Sequence, residues 1–210
     1  MKKLFTLCAV IVFALLLVAG CAAPAPTPTP EPAIPAHFVT YTEENIFSIS
    51  YPPDWEPALS LIEEMRKFVD EWLENIEAGT SLEGEVNTIF FAGLPTETGY
   101  SPNVNIGVSP LPAGLGTLDE VVEANIRGIK DILGEDYQEF SRVKTTIDGR
   151  EAVIVDAEVD LPDLGRFRNL TVGMLKDKVS WVVTCTAYPE EFSHCEDDFQ
   201  AIVRSLRILR

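Results

Sequence analysis

Two pairs of long predicted strands, each joined by a short turn, dominate the second half of the chain. Residues 137–147 and 150–159 are predicted strands on either side of Asp148-Gly149, a sequence typical of a two-residue hairpin turn. Residues 166–175 and 179–187 repeat this pattern around Lys176-Asp177-Lys178. Because a hairpin joins antiparallel neighbours, the two pairs predict a mainly antiparallel sheet.

The rest of the folded region adds shorter strands and a few helices. Alternation of apolar and polar residues predicts strands at residues 38–41 and 47–51, and further strands are predicted at residues 86–92 and 103–108. Apolar residues recur with helical spacing in residues 59–76, 118–133 and 189–205. Thr117 and Glu120 form a capping box at the start of the second helix. We therefore expect an α+β fold with helices packed on the faces of the sheet.

The N-terminal twenty residues have the three parts of an export signal. Lys2 and Lys3 are basic, residues 4–18 are apolar, and Ala19-Gly20 precede Cys21. The run from Val18 to Cys21 resembles a lipobox, which predicts that residues 1–20 are removed and that Cys21 is lipidated. An ordinary secretory signal is the alternative. An uncleaved spanning helix is disfavoured, because this fifteen-residue segment would reach only roughly 22 Å across about 30 Å of hydrocarbon.

A proline-rich segment follows Cys21. Proline occupies every second position from residue 24 to residue 32, and it both fixes φ and removes a hydrogen-bond donor. Residues 22–36 are therefore expected to form a polyproline II spacer of roughly 45 Å. A proline-rich ligand for a signalling domain is the alternative. The chain then divides into a signal peptide at 1–20, a lipidated cysteine and stalk at 21–37, and one folded domain at 38–210.

The charge balance restricts the partners. The formal net charge is −17, and loss of Lys2 and Lys3 with the leader makes it −19. A surface this acidic repels nucleic acid and anionic lipid headgroups, so no nucleic-acid partner is expected. The membrane contact is instead expected to run through the lipid on Cys21.

Two of the four cysteines remain for the folded domain. Cys8 lies in the leader and Cys21 is the lipidation residue, which leaves Cys185 and Cys195. Cys185 lies in a predicted strand and Cys195 lies on the apolar face of the last helix, so both are expected at one strand–helix interface. An exported domain can oxidise such a pair to a disulfide, and two buried free thiols are the alternative.

Both ends of the folded region contain short runs with a recognisable family pattern. Residues 47–52 and 54–55 fit F-S-I-x-Y-P-x-x-W, and together with residues 181–184, 188–192 and 199–208 at the other end they resemble PsbP-like domains. The resemblance implies an α/β/α sandwich around an antiparallel sheet and a role in binding or assembly rather than catalysis. Members of the family include a lumenal subunit that supports the photosynthetic oxygen-evolving centre and bacterial lipoproteins of undetermined role. The resemblance transfers no functional residue.

One candidate interaction patch stands out against the acidic domain. Arg166, Phe167 and Arg168 place two basic side chains and an aromatic one at the start of a hairpin strand. Such a patch would suit a protein or small-ligand partner. Ion pairing of both arginines within the domain would instead make it ordinary sheet surface.

A candidate cation site lies at the start of the last helix. Glu191, His194 and Asp198 fall at positions i, i+3 and i+7 and can share one helix face. A divalent cation accepts such ligands. The alternative is a solvated helix start, because the helix dipole also favours acidic residues there.

No catalytic motif accompanies these features. The sequence has two histidines and lacks Gly-x-Ser-x-Gly, which disfavours serine-hydrolase chemistry. No cofactor is predicted apart from the candidate divalent cation. We expect a membrane-anchored, extracytoplasmic lipoprotein that acts as a non-catalytic binding or assembly module. The alternatives are a divalent-cation-binding lipoprotein and an enzyme of unknown class.

Overall fold

The computed structural model describes residues 33–58, 87–97, 99–111, 114–161 and 164–209. The leader, Cys21, most of the stalk and the helix predicted over residues 59–76 lie outside the described residues. The described strands are β1 (Val39–Glu43), β2 (Phe47–Tyr51), β3 (Glu56–Pro57), β4 (Asn87–Thr96), β5 (Gly99–Pro110), β6 (Tyr137–Ile147), β7 (Arg150–Leu161), β8 (Gly165–Lys176), β9 (Val179–Ala187) and β10 (Arg207–Ile208). The described helices are α1 (Leu118–Leu133) and α2 (Pro189–Ser205).

Two antiparallel sheets organise the described chain. Seven strands form the larger sheet in the order β3-β4-β5-β9-β8-β7-β6. Three strands form the smaller sheet in the order β1-β2-β10. Every pairing is antiparallel, and β6, β7, β8 and β9 are joined as consecutive hairpins. The expected α+β fold with a mainly antiparallel sheet and helices on its faces is confirmed.

Tight turns set the register of the hairpins. Asp148 and Gly149 have φ of 52° and 72°, and Asp177 and Lys178 have φ of 50° and 66°. Two consecutive residues with positive φ are the pattern of the type I′ turn, whose twist matches that of paired strands. The second turn is therefore one residue shorter than the three-residue turn predicted from the sequence, because Lys176 belongs to β8.

The larger sheet separates two apolar layers. Ala152 and Ile154 on β7 join the cluster that contains α2 and the smaller sheet, whereas Val153 and Val155 join the cluster under α1. Because successive strand residues point to opposite faces, α1 and α2 cover opposite faces of the sheet. Trp55 belongs to the α2 layer, where its ring centre lies 6.1 Å from that of Phe199.

The structure extends two of the sequence predictions. β5 spans residues 99–110 rather than 103–108, and the residues after α2 form the short strand β10. Ile208 pairs with Phe47, so the residues after α2 return to β2 and complete the smaller sheet. A two-residue strand has no periodicity of its own, which is why alternation did not predict it. No helix in the described ranges is long and apolar enough to cross a membrane.

Candidate functional site

A cavity of about 400 Å³ lies between α1 and the face of the larger sheet that α1 covers. We call it the α1–sheet cavity. Its lining includes uncharged polar side chains from β5, β8, β9 and α1: Asn105, Ser109, Asn125, Asn169, Thr171 and Thr184. It also includes apolar side chains from α1 and β7: Val122, Ile126, Ile129, Val153, Val155 and Ala157. Apart from Asn125 on α1, these polar side chains lie on β5, β8 and β9 and form a polar wall, whereas α1 and the neighbouring strand β7 together form an apolar wall.

Strand alternation produces the polar wall. On β5, Asn105, Gly107 and Ser109 line the cavity, while Ile106 and Val108 between them are buried in the α2 layer. On β8, the residues that line the cavity are Asn169, Thr171 and Gly173. Both strands therefore present an asparagine followed, at every second position, by two small residues. A period of two thus sends every small or polar residue of these stretches to the cavity face.

The polar side chains form rows across the strands. Asn105 on β5 is opposite Thr184 on β9, and Thr184 is opposite Thr171 on β8. The two threonine hydroxyl oxygens are 3.5 Å apart, at the long limit of a hydrogen bond. In the neighbouring row, the Thr186 hydroxyl donates to Oδ1 of Asn169 at 2.8 Å. Within the described residues, the side-chain amides of Asn105 and Asn125 have no hydrogen-bond partner.

Small residues make room at the sheet surface. Gly107, Val182 and Gly173 form one row across β5, β9 and β8. A Cβ atom added to Gly173 would lie 3.5 Å from a methyl group of Val122 and 3.8 Å from one of Leu118. Glycine in a strand interior weakens the strand and often marks a close approach. At Gly173 the approaching group is α1, whose packing fixes one side of the cavity.

The start of α1 is held by its cap and by ion pairs to β6. The Glu120 carboxylate accepts from the backbone N–H groups of Gly116 at 2.8 Å and Thr117 at 2.9 Å, which lowers the pKa of Glu120. Asp119 and Glu123 on α1 pair with Lys144 and Arg142 on β6, respectively. These contacts position the helix over β6, β7 and β8.

The lining is electrically neutral. None of the cavity-lining residues that the structure describes is an acid, a lysine, an arginine or a histidine. Tyr137, which also lines the cavity, has a pKa raised above 10.0 mainly by burial, so its hydroxyl stays protonated at neutral pH. The site offers amide and hydroxyl groups, which bind by hydrogen bonding and do not supply a charge.

The side chains of the predicted interaction patch contact other side chains of the same domain. Arg168 forms two hydrogen bonds with Asp156, and Arg166 pairs with Glu158 at 3.2 Å and Asp160 at 3.5 Å. The ring of Phe167 stacks on Tyr188 at a centroid distance of 5.1 Å. Both guanidinium groups therefore have carboxylate partners, which is the arrangement expected for ordinary sheet surface. We propose no partner for this patch.

The predicted cation ligands share one hollow. Glu191, His194 and Asp198 line a depression of about 280 Å³ together with Asp54 and Trp55. The Ser101 hydroxyl donates to Oε2 of Glu191 at 3.1 Å, and burial is the main cause of a raised pKa for Asp198. In the part of the chain that the structure describes, no three His, Cys, Asp or Glu side chains are arranged so that they could hold a metal ion. The helix spacing therefore brings the three residues to one hollow without making them converge.

Cys185 and Cys195 are free thiols in the structure. Both belong to the α2 layer, as the sequence predicted, but the disulfide interpretation does not match the structure. The Cys195 thiol instead donates to backbone carbonyls of α2, with sulfur 3.2 Å from the Glu191 oxygen and 3.6 Å from the Phe192 oxygen. Burial raises the pKa of Cys185 well above 9.0 and that of Cys195 to about 11. Both thiols are therefore protonated and packed as small apolar groups.

Comparison with known proteins gives the fold independent support. The chain is similar to the solution structure of the cyanobacterial PsbP protein CyanoP from Synechocystis sp. PCC 6803, with a TM-score of 0.52 and 12% identity over 89% of this chain and 99% of that chain. It is also similar to the Ran-binding protein Mog1p from Saccharomyces cerevisiae, with a TM-score of 0.49 and 9% identity over 82% of this chain and 95% of that chain. No family model and no curated protein matches the sequence. The likeness to CyanoP supports the PsbP-like fold expected from the sequence.

The sequence contained one unused signal for the cavity. β5 and β9 carry no charged residue in their 12 and 9 positions. In a chain with a net charge of −17, a strand face that is merely exposed to solvent is expected to include acidic or basic side chains. A face that is polar but uncharged, such as Asn105-x-Gly107-x-Ser109, is better explained by partial enclosure.

Proposed function

We propose that this chain is a lipid-anchored module that lies outside the cytoplasmic membrane and binds a small molecule in the α1–sheet cavity without transforming it. The observation that carries the proposal is the cavity itself. Its volume of about 400 Å³ falls within the range of roughly 300–1,000 Å³ found for small-molecule sites. Its apolar wall with a few convergent polar groups is also the usual composition of such sites.

The N-terminal sequence supports the location. The leader ends at Cys21 in a lipobox-like run, and a lipid on that cysteine would hold the chain at a membrane. The proline-rich residues 22–36 would then keep the acidic domain away from the anionic surface. A tethered domain of this kind is suited to capturing a molecule close to the membrane.

The chemistry of the lining supports binding rather than catalysis. General acid–base catalysis and covalent catalysis use side chains such as histidine, carboxylates, lysine and cysteine. The described lining of the cavity consists of amides, hydroxyls and hydrocarbon. A threonine or serine hydroxyl without a neighbouring base is a weak nucleophile. Such a lining orients a ligand through hydrogen bonds and shape.

The binding arm of the test is a thermal-shift screen of the full chain, purified from membranes in mild detergent, against a library of small molecules. Val182→Phe places a ring in the cavity, and Val143→Phe makes the same change on β6 where the side chain is 53% exposed. We expect at least one compound to stabilise the wild type and Val143→Phe but not Val182→Phe. The binding proposal is overturned if every stabilising compound acts equally on all three proteins, or if no compound stabilises the wild type.

A separate experiment tests the proposed lipid anchor on Cys21. Cells that produce the full chain are fed an alkyne-labelled fatty acid, and the protein is compared with its Cys21→Ser variant. We expect the wild type to carry the label and to be found in the membrane fraction. The variant should lose both the label and the stable membrane association. Equal labelling of the two proteins would contradict lipidation at Cys21.

A further inference from the structure

We infer that the α1–sheet cavity selects an uncharged molecule that has a hydrogen-bonding edge on an apolar body, and that Asn105, Asn125 and the Thr171–Thr184 pair recognise that edge. This inference rests on the proposed function and specifies the class of ligand. Three features of the cavity lead to it: the neutrality of the lining, the free hydrogen-bonding capacity of its amides, and the separation of polar and apolar walls.

Neutrality excludes most charged ligands. An ion that leaves water for a concave site without a counter-charge loses far more hydration energy than hydrogen bonds restore. The described lining provides no such counter-charge. The net charge of −17 adds long-range repulsion against anions. A phosphate or carboxylate ligand would therefore meet both penalties, and an ammonium group would meet the first.

The amides provide matched donors and acceptors. Each asparagine side chain carries one carbonyl oxygen and one NH₂ group, so it can both accept from and donate to the same ligand group. Asn105 extends from the sheet and Asn125 from α1, and both line the cavity. A ligand amide, lactam or similar pair of adjacent donor and acceptor can bind such a side chain with two hydrogen bonds. Amides that are left unpaired when water is displaced would instead weaken binding.

The threonine pair extends the polar edge. The long separation of 3.5 Å between Oγ1 of Thr171 and Oγ1 of Thr184 leaves both hydroxyls able to improve their hydrogen bonding when a ligand arrives. Thr184 lies directly across the strands from Asn105. One ligand edge can therefore contact an amide and a hydroxyl side by side.

The apolar wall of α1 and β7 fits an apolar body. Ile126 and Val122 on α1 are buried, and Ile129 is 38% exposed at the same wall. Val153 and Val155 on β7 continue this surface on the sheet. A flat or aliphatic hydrocarbon part that lies here gains from leaving water, at about 25 cal/mol per Å² buried.

The test compares four probes of one shape: 2-naphthamide, 2-naphthoate, 2-naphthylmethylammonium and naphthalene. Their affinities for the full chain are measured by calorimetry, and the side-chain NH₂ signals of Asn105 and Asn125 are followed by NMR. We expect 2-naphthamide to bind at least about tenfold more tightly than each of the other three probes, because only it is neutral and can pair with an asparagine amide. We also expect both NH₂ signals to shift with 2-naphthamide.

Two variants locate the recognition. Asn105→Asp keeps the shape of the side chain but replaces the NH₂ donor with a charged oxygen. The affinity for 2-naphthamide should therefore fall about tenfold, while the affinity for 2-naphthylmethylammonium should rise. Thr184→Val keeps the shape and removes one hydroxyl, so 2-naphthamide should weaken about fivefold. The control Asn45→Asp makes the same asparagine-to-aspartate change in the exposed turn between β1 and β2, and it should leave all affinities unchanged.

The outcomes separate the two proposals. If 2-naphthoate or 2-naphthylmethylammonium binds as well as 2-naphthamide and shifts the Asn105 signal, the ligand class is wrong and the cavity remains a binding site. The ligand class is also wrong if no naphthyl probe binds although a library compound shows the Val182→Phe effect. If no probe and no library compound binds, both proposals fail.

Discussion

Arg168 donates two hydrogen bonds to the carboxylate of Asp156, from Nε to Oδ1 at 3.0 Å and from a terminal nitrogen to Oδ2 at 2.8 Å. Its guanidinium carbon also lies 4.8 Å from the ring centre of Phe140 and 4.4 Å from that of Phe192. The hydrogen bond with Asp156 is the main cause of a raised pKa for Arg168. One side chain thus links β8 to β7, β6 and α2.

Arg168→Lys should lower the free energy of unfolding by about 1–2 kcal/mol, because lysine keeps the charge but loses the paired geometry and the planar stacking. Urea unfolding of the full chain measures this change. Arg166→Lys is the matched control, since Arg166 is 60% exposed and should change stability by no more than about 0.5 kcal/mol. Equal effects at both positions would show that Arg168 has no special role in linking these elements.

Ser205→Ala should destabilise the contact between α2 and β2. The Ser205 hydroxyl accepts from the backbone N–H of Ser50 at 2.8 Å, and its oxygen lies 2.6 Å from the Ile202 carbonyl oxygen. Both serines are buried, so the variant leaves the Ser50 N–H without its partner, at a cost of about 1–3 kcal/mol. The exposed Ser193→Ala on the same helix is the control in thermal and urea unfolding. A loss no greater than that of Ser193→Ala would contradict the importance of this contact.

The capping box of α1 should make stability depend on pH. Hydrogen bonds from Gly116 and Thr117 lower the pKa of Glu120 from 4.5, so the carboxylate stabilises the folded state above pH 4.5. This stabilisation is lost as the pH falls through the folded-state pKa. Glu120→Gln should therefore be less stable than the wild type at pH 7, and the difference should shrink below pH 4.5.

Urea titrations at pH 7 and in the acid range measure this difference. Thr117→Ala, which removes the other half of the box, should lower stability at pH 7 by about 1 kcal/mol. A difference between the wild type and Glu120→Gln that stays constant across the pH range would contradict the proposed origin of the pKa shift.

Cys185 and Cys195 should resist alkylation in the folded protein. Burial raises the pKa of Cys195 to about 11 and that of Cys185 well above its ordinary value, so neither forms much thiolate at pH 7. When the chain is unfolded in urea without reductant, both should react with iodoacetamide. Peptide mass spectrometry measures the modification, and a linked pair of peptides in the unreduced sample would show a disulfide instead.

Most of the fold could be predicted because its signals are local. The hairpins from β6 to β9 combine long strand segments with turns such as Asp148-Gly149, and the capping residue Thr117 marks the start of α1. The pairing of β10 with β2 could not be predicted in this way. It joins Ile208 to Phe47, and two residues carry no period of their own.

The candidate site was harder to predict for a different reason. Alternation along β5 and β9 places Asn105 and Thr184 on the face away from Ile106 and Cys185, but it does not show what lies on that side of the sheet. Only the packing of Leu118 and Val122 against Gly173 places α1 there and encloses the polar row. Sequence reasoning therefore found charged candidates such as Arg168, which the structure places in an internal ion pair.

The strand order has a consequence for the proposed export of the chain. β2 ends at Tyr51, yet its partner β10 begins only at Arg207. The polar wall of the cavity also requires β5 to pair with β9, which comes much later in the chain. If the chain crosses the membrane from its N-terminus, the first strands must remain without these partners until nearly the whole polypeptide has emerged. Acquisition of a working pocket should therefore coincide with the end of translocation, and factors that shield unpaired strands would act during that interval.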